Sequence, residues 1–233
     1  VNVNSVVASG VTDGLDADNT ALLAMFSVPA VDVLDNAETT DTFNWNFASG
    51  TEAFDYLADG EDLILTYDIE AKDSQNATDN QNVVITITGT NDDPVVAGPL
   101  ADTANEDDAP FSFDLLAGAS DLDATDSLSV DSFNVDSSDA SGIVLNANKI
   151  DIDPNAYNHL ALGESEIIQM SFNVIDGNGG ITPQTATITI NGANDLPDIS
   201  IEVGDSEADS LFETDAALAA SGSLTLSDVD LID

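Results

Sequence analysis

The chain has 233 residues, of which 45 are Asp or Glu and only two are Lys or Arg, for a formal net charge of −43. A surface this negative excludes nucleic-acid binding and adhesion to anionic lipid, which both need a basic face. The absence of Cys and a single histidine, His159, exclude a disulfide framework, a thiol nucleophile and a His/Cys zinc cluster. Apolar residues make up 42% of the chain, enough for an ordinary globular core. No stretch approaches the ~20 apolar residues of a membrane-spanning helix, and Val1 begins no signal peptide. Membrane insertion is therefore not expected, and either any export signal or anchor lies outside this chain or the protein is not exported.

In chain order, the first predicted element is a short helix over Ala21–Phe26, capped by Asp18 or Asn19. Phe43, Trp45 and Phe47 alternate with polar residues, as a strand facing a core would, with a sugar-binding platform as the less favoured reading. Leu63, Leu65, Tyr67, Ile69 and Ala71 mark a strand, and Val83, Ile85 and Ile87 the next. Phe111–Leu116 is a further apolar run, followed by a polar loop. Ile168, Met170, Phe172 and Val174 alternate again, as do Ala186, Ile188 and Ile190. Turn signals separate these runs at Ser49-Gly50, Asp73-Ser74-Gln75-Asn76 and Asp176-Gly177-Asn178-Gly179. Many short strands with Gly, Asn and Asp turns, in units of about 100 residues, read as β-sandwiches.

An internal repeat orders these elements. Shifted by 103, residues 54–94 lie over 157–197 without a gap, with 14 identities in 41 positions. Leu57, Ala58, Gly60 and Glu61 meet Leu160, Ala161, Gly163 and Glu164, and Asp73 meets Asp176. Gly89, Asn91, Asp92 and Pro94 meet Gly192, Asn194, Asp195 and Pro197. A second match, at an offset of 107, places Glu106, Asp121, Asp123 and Asp126 over Glu213, Asp228, Asp230 and Asp233. The expected domains are 1–97, 98–197 and the opening of a further unit over 198–233.

The segment Val84-Ile85-Thr86-Ile87-Thr88-Gly89-Thr90-Asn91-Asp92-Asp93-Pro94 resembles the end of a VCBS-type, cadherin-like bacterial repeat. So does Phe54-Asp55-Tyr56-Leu57-Ala58-Asp59-Gly60-Glu61, and Gly222-Ser223-Leu224-Thr225-Leu226-Ser227-Asp228-Val229-Asp230 resembles the start of one. The resemblance implies an all-β fold of tandem cadherin-like sandwiches with immunoglobulin-like Greek-key connections. It also implies a calcium-rigidified extension module of large RTX-type adhesins, at the bacterial cell surface, serving adhesion and biofilm. Against that pattern, residues 1–97 lack the opening strands and residues 198–233 contain only these. Joined in the order 198–233 then 1–97, they make one repeat of 133 residues, so the chain resembles one period of a longer array, divided inside a domain.

Calcium suits the repeated acids, because this hard cation takes about six to eight oxygen ligands. If the strand leaving Pro94 turns near Glu106 and Phe111–Leu116 returns, Asp121 and Asp123 come back to the linker, and Asp176 lies at the same end. A first site is expected from Asn91, Asp92, Asp121, Asp123 and Asp176, and a second from Glu106, Asn194, Asp195, Asp228 and Asp230. Asp73 is a candidate at the open end of the first unit, Glu213 is the counterpart of Glu106, and Asp126 and Asp233 are outer candidates. The plainer reading of any isolated Asp is a turn residue, but acids recurring at fixed offsets favour ligation. The resemblance further implies more than one ion per junction.

The function these readings support is a non-catalytic spacer, with calcium and neighbouring repeats as partners. One rival is carbohydrate or surface recognition through Trp45, Tyr56 and Tyr157. Another is a filament in which 198–233 completes the 1–97 sandwich of the next copy, head to tail. Catalysis is not expected: His159, Lys72 and Lys149 stand apart from any nucleophile or phosphate loop, and paired carboxylates arise by chance in so acidic a chain.

Overall fold

A computed structural model describes residues 1–29, 33–34, 39–137, 139–213 and 215–230. The chain divides into two compact units. One comprises Val1–Val96, Gly118–Ser129 and Val174–Thr182; the other comprises Ala97–Ala117, Val130–Asn173 and Pro183–Asp233.

The first unit is built on an antiparallel sheet in the order β1-β4-β5, from β1 (Asn2–Gly10), β4 (Asp62–Lys72) and β5 (Thr78–Thr88). Period-two alternation puts Leu63, Leu65, Tyr67 and Ile69 of β4 on one buried face. Helix α1 (Asn19–Ala24) covers that face with Leu22, and its N-cap is Asp18, whose carboxylate accepts the Ala21 N–H at 2.8 Å. The buried Tyr67 hydroxyl donates to the Leu22 carbonyl at 2.8 Å, tying helix to sheet. The expected strand over Phe43–Phe47 shrinks to β3 (Asn46–Phe47), paired with β2 (Phe26–Ser27) through two residues. Phe43 and Trp45 stay 37% and 47% exposed, because so short a ladder cannot hold an alternating row against the core. Trp45 instead stacks on Phe26 (ring centroids 5.3 Å apart), which itself stacks on Tyr67 at 4.5 Å.

The second unit holds two facing groups of strands. Four strands run in the order β6-β12-β11-β8, from β6 (Leu100–Asn105), β8 (Ser129–Val135), β11 (Ser165–Ile175) and β12 (Ile181–Asn191). Three more run in the order β7-β10-β9, from β7 (Phe111–Asp114), β9 (Ile143–Asn146) and β10 (Lys149–Ile152). Ile150 and Ile152, Tyr157 of a 3-10 turn (Pro154–Tyr157), Ile168, Met170, Phe172, Ile188 and Ile190 are buried, the inner faces of a sandwich. β6 lies parallel to β12, from Leu100 opposite Ala186 to Asn105 opposite Asn191. Beyond β12, β13 (Asp198–Ser200) and β14 (Thr225–Ser227) pair through three residues, and no strand occurs among the described residues between them.

Each repeat packs its last strand against its Leu-Ala-x-Gly-Glu turn through one glycine. A Cβ on Gly192 would lie 2.4 Å from the carbonyl oxygens of both Ala161 and Leu160, and one on Gly89 would lie 2.2 Å from the Leu57 oxygen. Backbone, not a flexible side chain, blocks the space. Gly192→Ala is expected to destabilise the protein by about 2–3 kcal/mol, measured by urea unfolding. A variant as stable as the parent would show that the turn can yield.

Candidate metal centre

The first acidic cluster lies within the first unit and is assembled by backbone donors. The turn after β11 reverses through Gly177 (φ +90°) and Gly179 (φ +121°), conformations open to glycine. Asp176 is held inside that turn: Oδ1 accepts from the backbone N–H groups of Asn178, Gly179 and Gly180 at 2.7–3.1 Å. Its Oδ2 accepts from the Asn91 side chain at 2.9 Å. Reciprocal backbone hydrogen bonds between Val95 and Ser120, at 2.8 and 2.9 Å, bring the loop carrying Asp121, Asp123 and Asp126 beside Asn91–Pro94. There Asp123 Oδ2 accepts the Asp92 N–H at 2.8 Å, and Asp121 Oδ1 accepts the Asp123 N–H at 3.0 Å. Asp126 Oδ1 accepts from the Asn178 amide at 2.7 Å.

Asp176 is bonded on both oxygens, but Asp121, Asp123 and Asp126 each use one oxygen and leave the other bare. Asn91 Oδ1, Asp121 Oδ2, Asp123 Oδ1 and Asp126 Oδ2 are all buried with no hydrogen-bond partner. Carboxylate oxygens of Asp121, Asp126 and Asp176 lie within 4.8 Å of one another. Two such charges repel by roughly 4 kcal/mol at 4 Å and an effective dielectric of 20. Burial accordingly pushes the Asp123 carboxyl above its ordinary range, aided by the charges of Asp126, Asp92 and Asp121 and opposed by the Asp92 N–H. Burial raises Asp126 too, with Asp176, Asp121 and Glu61 adding to it against the Asn178 hydrogen bond. For Asp176 burial is again the largest single influence, but the hydrogen bonds from Asn91, Asn178, Gly180 and Gly179 together outweigh it and hold the group low. An all-oxygen donor set with unsatisfied buried oxygens fits a hard divalent cation.

The second cluster, within the second unit, repeats the same wiring. The Asp195 N–H donates to Asp230 Oδ2 at 3.0 Å, the Asp230 N–H donates to Asp228 Oδ1 at 3.1 Å, and the Asn194 amide donates to the Asp195 carbonyl. Glu106 is fully buried; its Oε1 accepts from Ala193 N at 2.6 Å and its Oε2 from Leu160 N at 3.2 Å. Oxygens of Glu106, Asp195 and Asp230 lie within 4.8 Å of one another, and Asp230 Oδ1 is buried and unpaired. The Asp195 carboxyl is raised by burial and by the charges of Asp230, Asp107 and Asp228, against the Asn158 hydrogen bond.

Not every expected ligand joins a cluster. Asp73 is exposed and caps its own turn, accepting the N–H groups of Gln75 and Ala77 at 2.9 and 2.8 Å. Glu213 is exposed and belongs to neither cluster. Asn194 and Asp228 are exposed, with Asp228 positioning Asp230, and Asp233 lies outside the described residues. Asp126, ranked only as an outer candidate on sequence, stands inside the first cluster. Glu61 was missed: it accepts from the Thr125 hydroxyl at 2.9 Å and its charge acts on Asp126. Its identity with Glu164 in the 103-residue match was the available signal. Of the three aromatics offered for sugar binding, Tyr56 and Tyr157 are buried and only Trp45 is half-exposed.

A carboxyl raised above its unfolded value stabilises the fold when protonated and loses that contribution as pH rises through the folded pKa. The metal-free protein should therefore gain stability as pH falls from 7 toward the raised range of Asp123, Asp126 and Asp195, with Asp176 opposing. Asp126→Asn removes one clustered charge. Its metal-free melting temperature should exceed the parent's at pH 7, with about 2–4 °C for each kcal/mol relieved, and the gap should close at acidic pH. A lower melting temperature at pH 7, read by calorimetry in chelator, would contradict this.

The fold is all-β, and the model of the cadherin-like domain family matches residues 90–191. Similar solved structures include protocadherin gamma B7 extracellular cadherin domains 1–4, at 14% identity and a TM-score of 0.36, covering 98% of this chain and 51% of that one. Human mucin-like protocadherin EC1-2 is similar at 14% identity and a TM-score of 0.40, over 72% of this chain and 82% of that one. The human desmocollin-1 ectodomain is similar at 14% identity and a TM-score of 0.42, over 98% of this chain and 40% of that one. The chain thus spans about half the length of the gamma B7 fragment. No curated protein sequence matches it.

Proposed function

We propose that this chain is a non-catalytic spacer of an extracellular adhesin, stiffened by calcium. The observation that carries the reading is the set of four buried, unpartnered oxygens on Asn91, Asp121, Asp123 and Asp126 beside the low-lying Asp176 carboxylate. Bound calcium would supply the positive charge these oxygens lack. Asn91, Asp121, Asp123, Asp126 and Asp176 would hold it in the first cluster, and Glu106, Asp195 and Asp230 in the second. The ion would cross-link the Asn91–Pro94 segment to the 120–126 loop and the 176–180 turn, which the metal-free state leaves mutually repelling. The sequence resemblance to VCBS-type repeats supports placing the parent protein at the bacterial surface, in adhesion or biofilm. No described helix is long and apolar enough to cross a membrane.

Extracellular calcium modules bind with dissociation constants of about 10⁻⁴–10⁻³ M. Stabilisation by a bound ligand grows as RT ln(1 + [L]/Kd), about 2.7 kcal/mol per site at a hundredfold excess. Calcium titrated from the chelated state should raise the melting temperature over that concentration range, and small-angle scattering should show a narrower distribution of interatomic distances. Identical melting and scattering in EGTA and in millimolar calcium would overturn the proposal.

A further inference from the structure

β5 and β12 are counterparts at the 103-residue offset, yet their outer edges differ. β12 carries β6 as a parallel neighbour, and β6 runs directly into the buried Glu106. β5 pairs with β4 alone among the described residues. Ala186, Ile188 and Ile190 of β12 are buried, whereas their counterparts Val83, Ile85 and Ile87 are only half-buried. The Glu106 carboxylate takes its hydrogen bonds from Leu160 and Ala193, whose counterparts are Leu57 and Thr90. At that place the first unit has an open pocket lined by Phe54, Leu57, Ile87, Gly89, Thr90 and Asp92. The Thr90 N–H meets no acceptor among the described residues. The pocket thus presents the Leu57 and Thr90 positions that correspond to the two residues whose N–H groups hold Glu106.

The sequence contains a segment of the required form. At the 107-residue offset Leu100–Glu106 corresponds to Glu207–Glu213, with Leu211 in place of the buried Ala104 and Glu213 in place of Glu106. This segment forms no strand and is exposed throughout, Leu211 by 48% and Phe212 by 86%. An unpaired strand edge and an exposed, unpaired segment carrying Leu211 and Phe212 are the two halves of a β-augmentation contact.

We infer that Glu207–Glu213 of a second copy of this chain adds to the outer edge of β5 as a parallel strand, with Glu213 entering the Leu57/Thr90 socket. The register follows from β6 and β12: Glu207 opposite Val83, Ser210 opposite Thr86 and Phe212 opposite Thr88. Each copy offers one edge and one segment, so the contact is heterologous and propagates head to tail. In the second cluster Glu106 stands with Asp195 and Asp230; Glu213 in the socket stands likewise beside Asp92 and Asp123 and completes the first cluster. Copies that each carry a charge of −43 meet there only with counter-ions present, so assembly depends on calcium. That dependence, and only that, rests on the proposed function above.

The chain has no cysteine, so engineered thiols report the register cleanly. Thr86→Cys and Ser210→Cys single variants, mixed and oxidised in millimolar calcium, should form a mixed disulfide dimer. Thr86→Cys mixed with Val203→Cys should not. Glu213→Gln in the Ser210→Cys chain should lower the yield about tenfold, the scale of a lost charge-assisted hydrogen bond. Absence of the mixed dimer, equal yield with Val203→Cys, or cross-linking confined within single chains of the Thr86→Cys/Ser210→Cys variant would each overturn the inference. Melting curves of the same samples separate the two proposals. A calcium-dependent rise without the mixed dimer refutes strand addition alone, and a mixed dimer indifferent to calcium refutes the metal reading alone.

Discussion

Carboxylate oxygens shielded from water, with their local donors already used, impose the constraint around which this protein is arranged. In the first cluster the Asp92 and Asp123 N–H groups and the side chains of Asn91 and Asn178 each go to one oxygen of an acid. Those bonds fix the directions of Asp121, Asp123 and Asp126, whose second oxygens stay buried and unpaired beside the Asp176 carboxylate. Rotation offers no relief, since it would give up the hydrogen bond that each carboxylate already accepts. The chain supplies almost no cationic side chains to intervene, with two lysines in 233 residues. Only protons or metal ions can compensate the charge, and at neutral pH protons are scarce.

Strand order explains why these acids meet. The 120–126 loop follows β7 and rejoins the chain at Val95, while the Asp176 turn joins β11 to β12 and so falls at the start of β12. Much of this was legible in the sequence, because alternation marked β4, β5, β11 and β12 and the 103-residue match marked the Asn91-Asp92 and Asn194-Asp195 segments that follow β5 and β12. The 107-residue match likewise placed Asp228 and Asp230 in the same relation to Asp195 that Asp121 and Asp123 hold to Asp92.

What the sequence hid depends on neighbours rather than on pattern. Asp73 and Asp176 align, follow equivalent strands and accept from the same kind of turn N–H groups. Only Asp176 has Asn91 and the 120–126 loop beside it, and no local spacing distinguishes the two. Asp126 is three residues beyond Asp123 in a turn, where its direction is set by Asn178, a residue 52 positions away. The Phe43–Phe47 row had a sound period but a partner strand of only two residues, so two of its three aromatics remained at the surface.

An acidic composition by itself predicts carboxylates scattered over a solvated surface, each free to find a hydroxyl or an amide. Elsewhere in the chain that is what occurs. Asp151 is held below its ordinary range by the hydroxyl of Ser112 and the amide of Asn146. Asp205 is lowered by the Glu202 N–H, then by the Thr225 and Ser223 hydroxyls. At Asp123, Asp126 and Asp195 the shift is reversed, because burial and neighbouring acids there outweigh the hydrogen-bond donors. A general adaptation to salt has no reason to concentrate repulsion at two places related by the internal repeat. Buried carboxylate oxygens without donors, gathered where separate loops meet, form an all-oxygen set that fits a hard divalent cation.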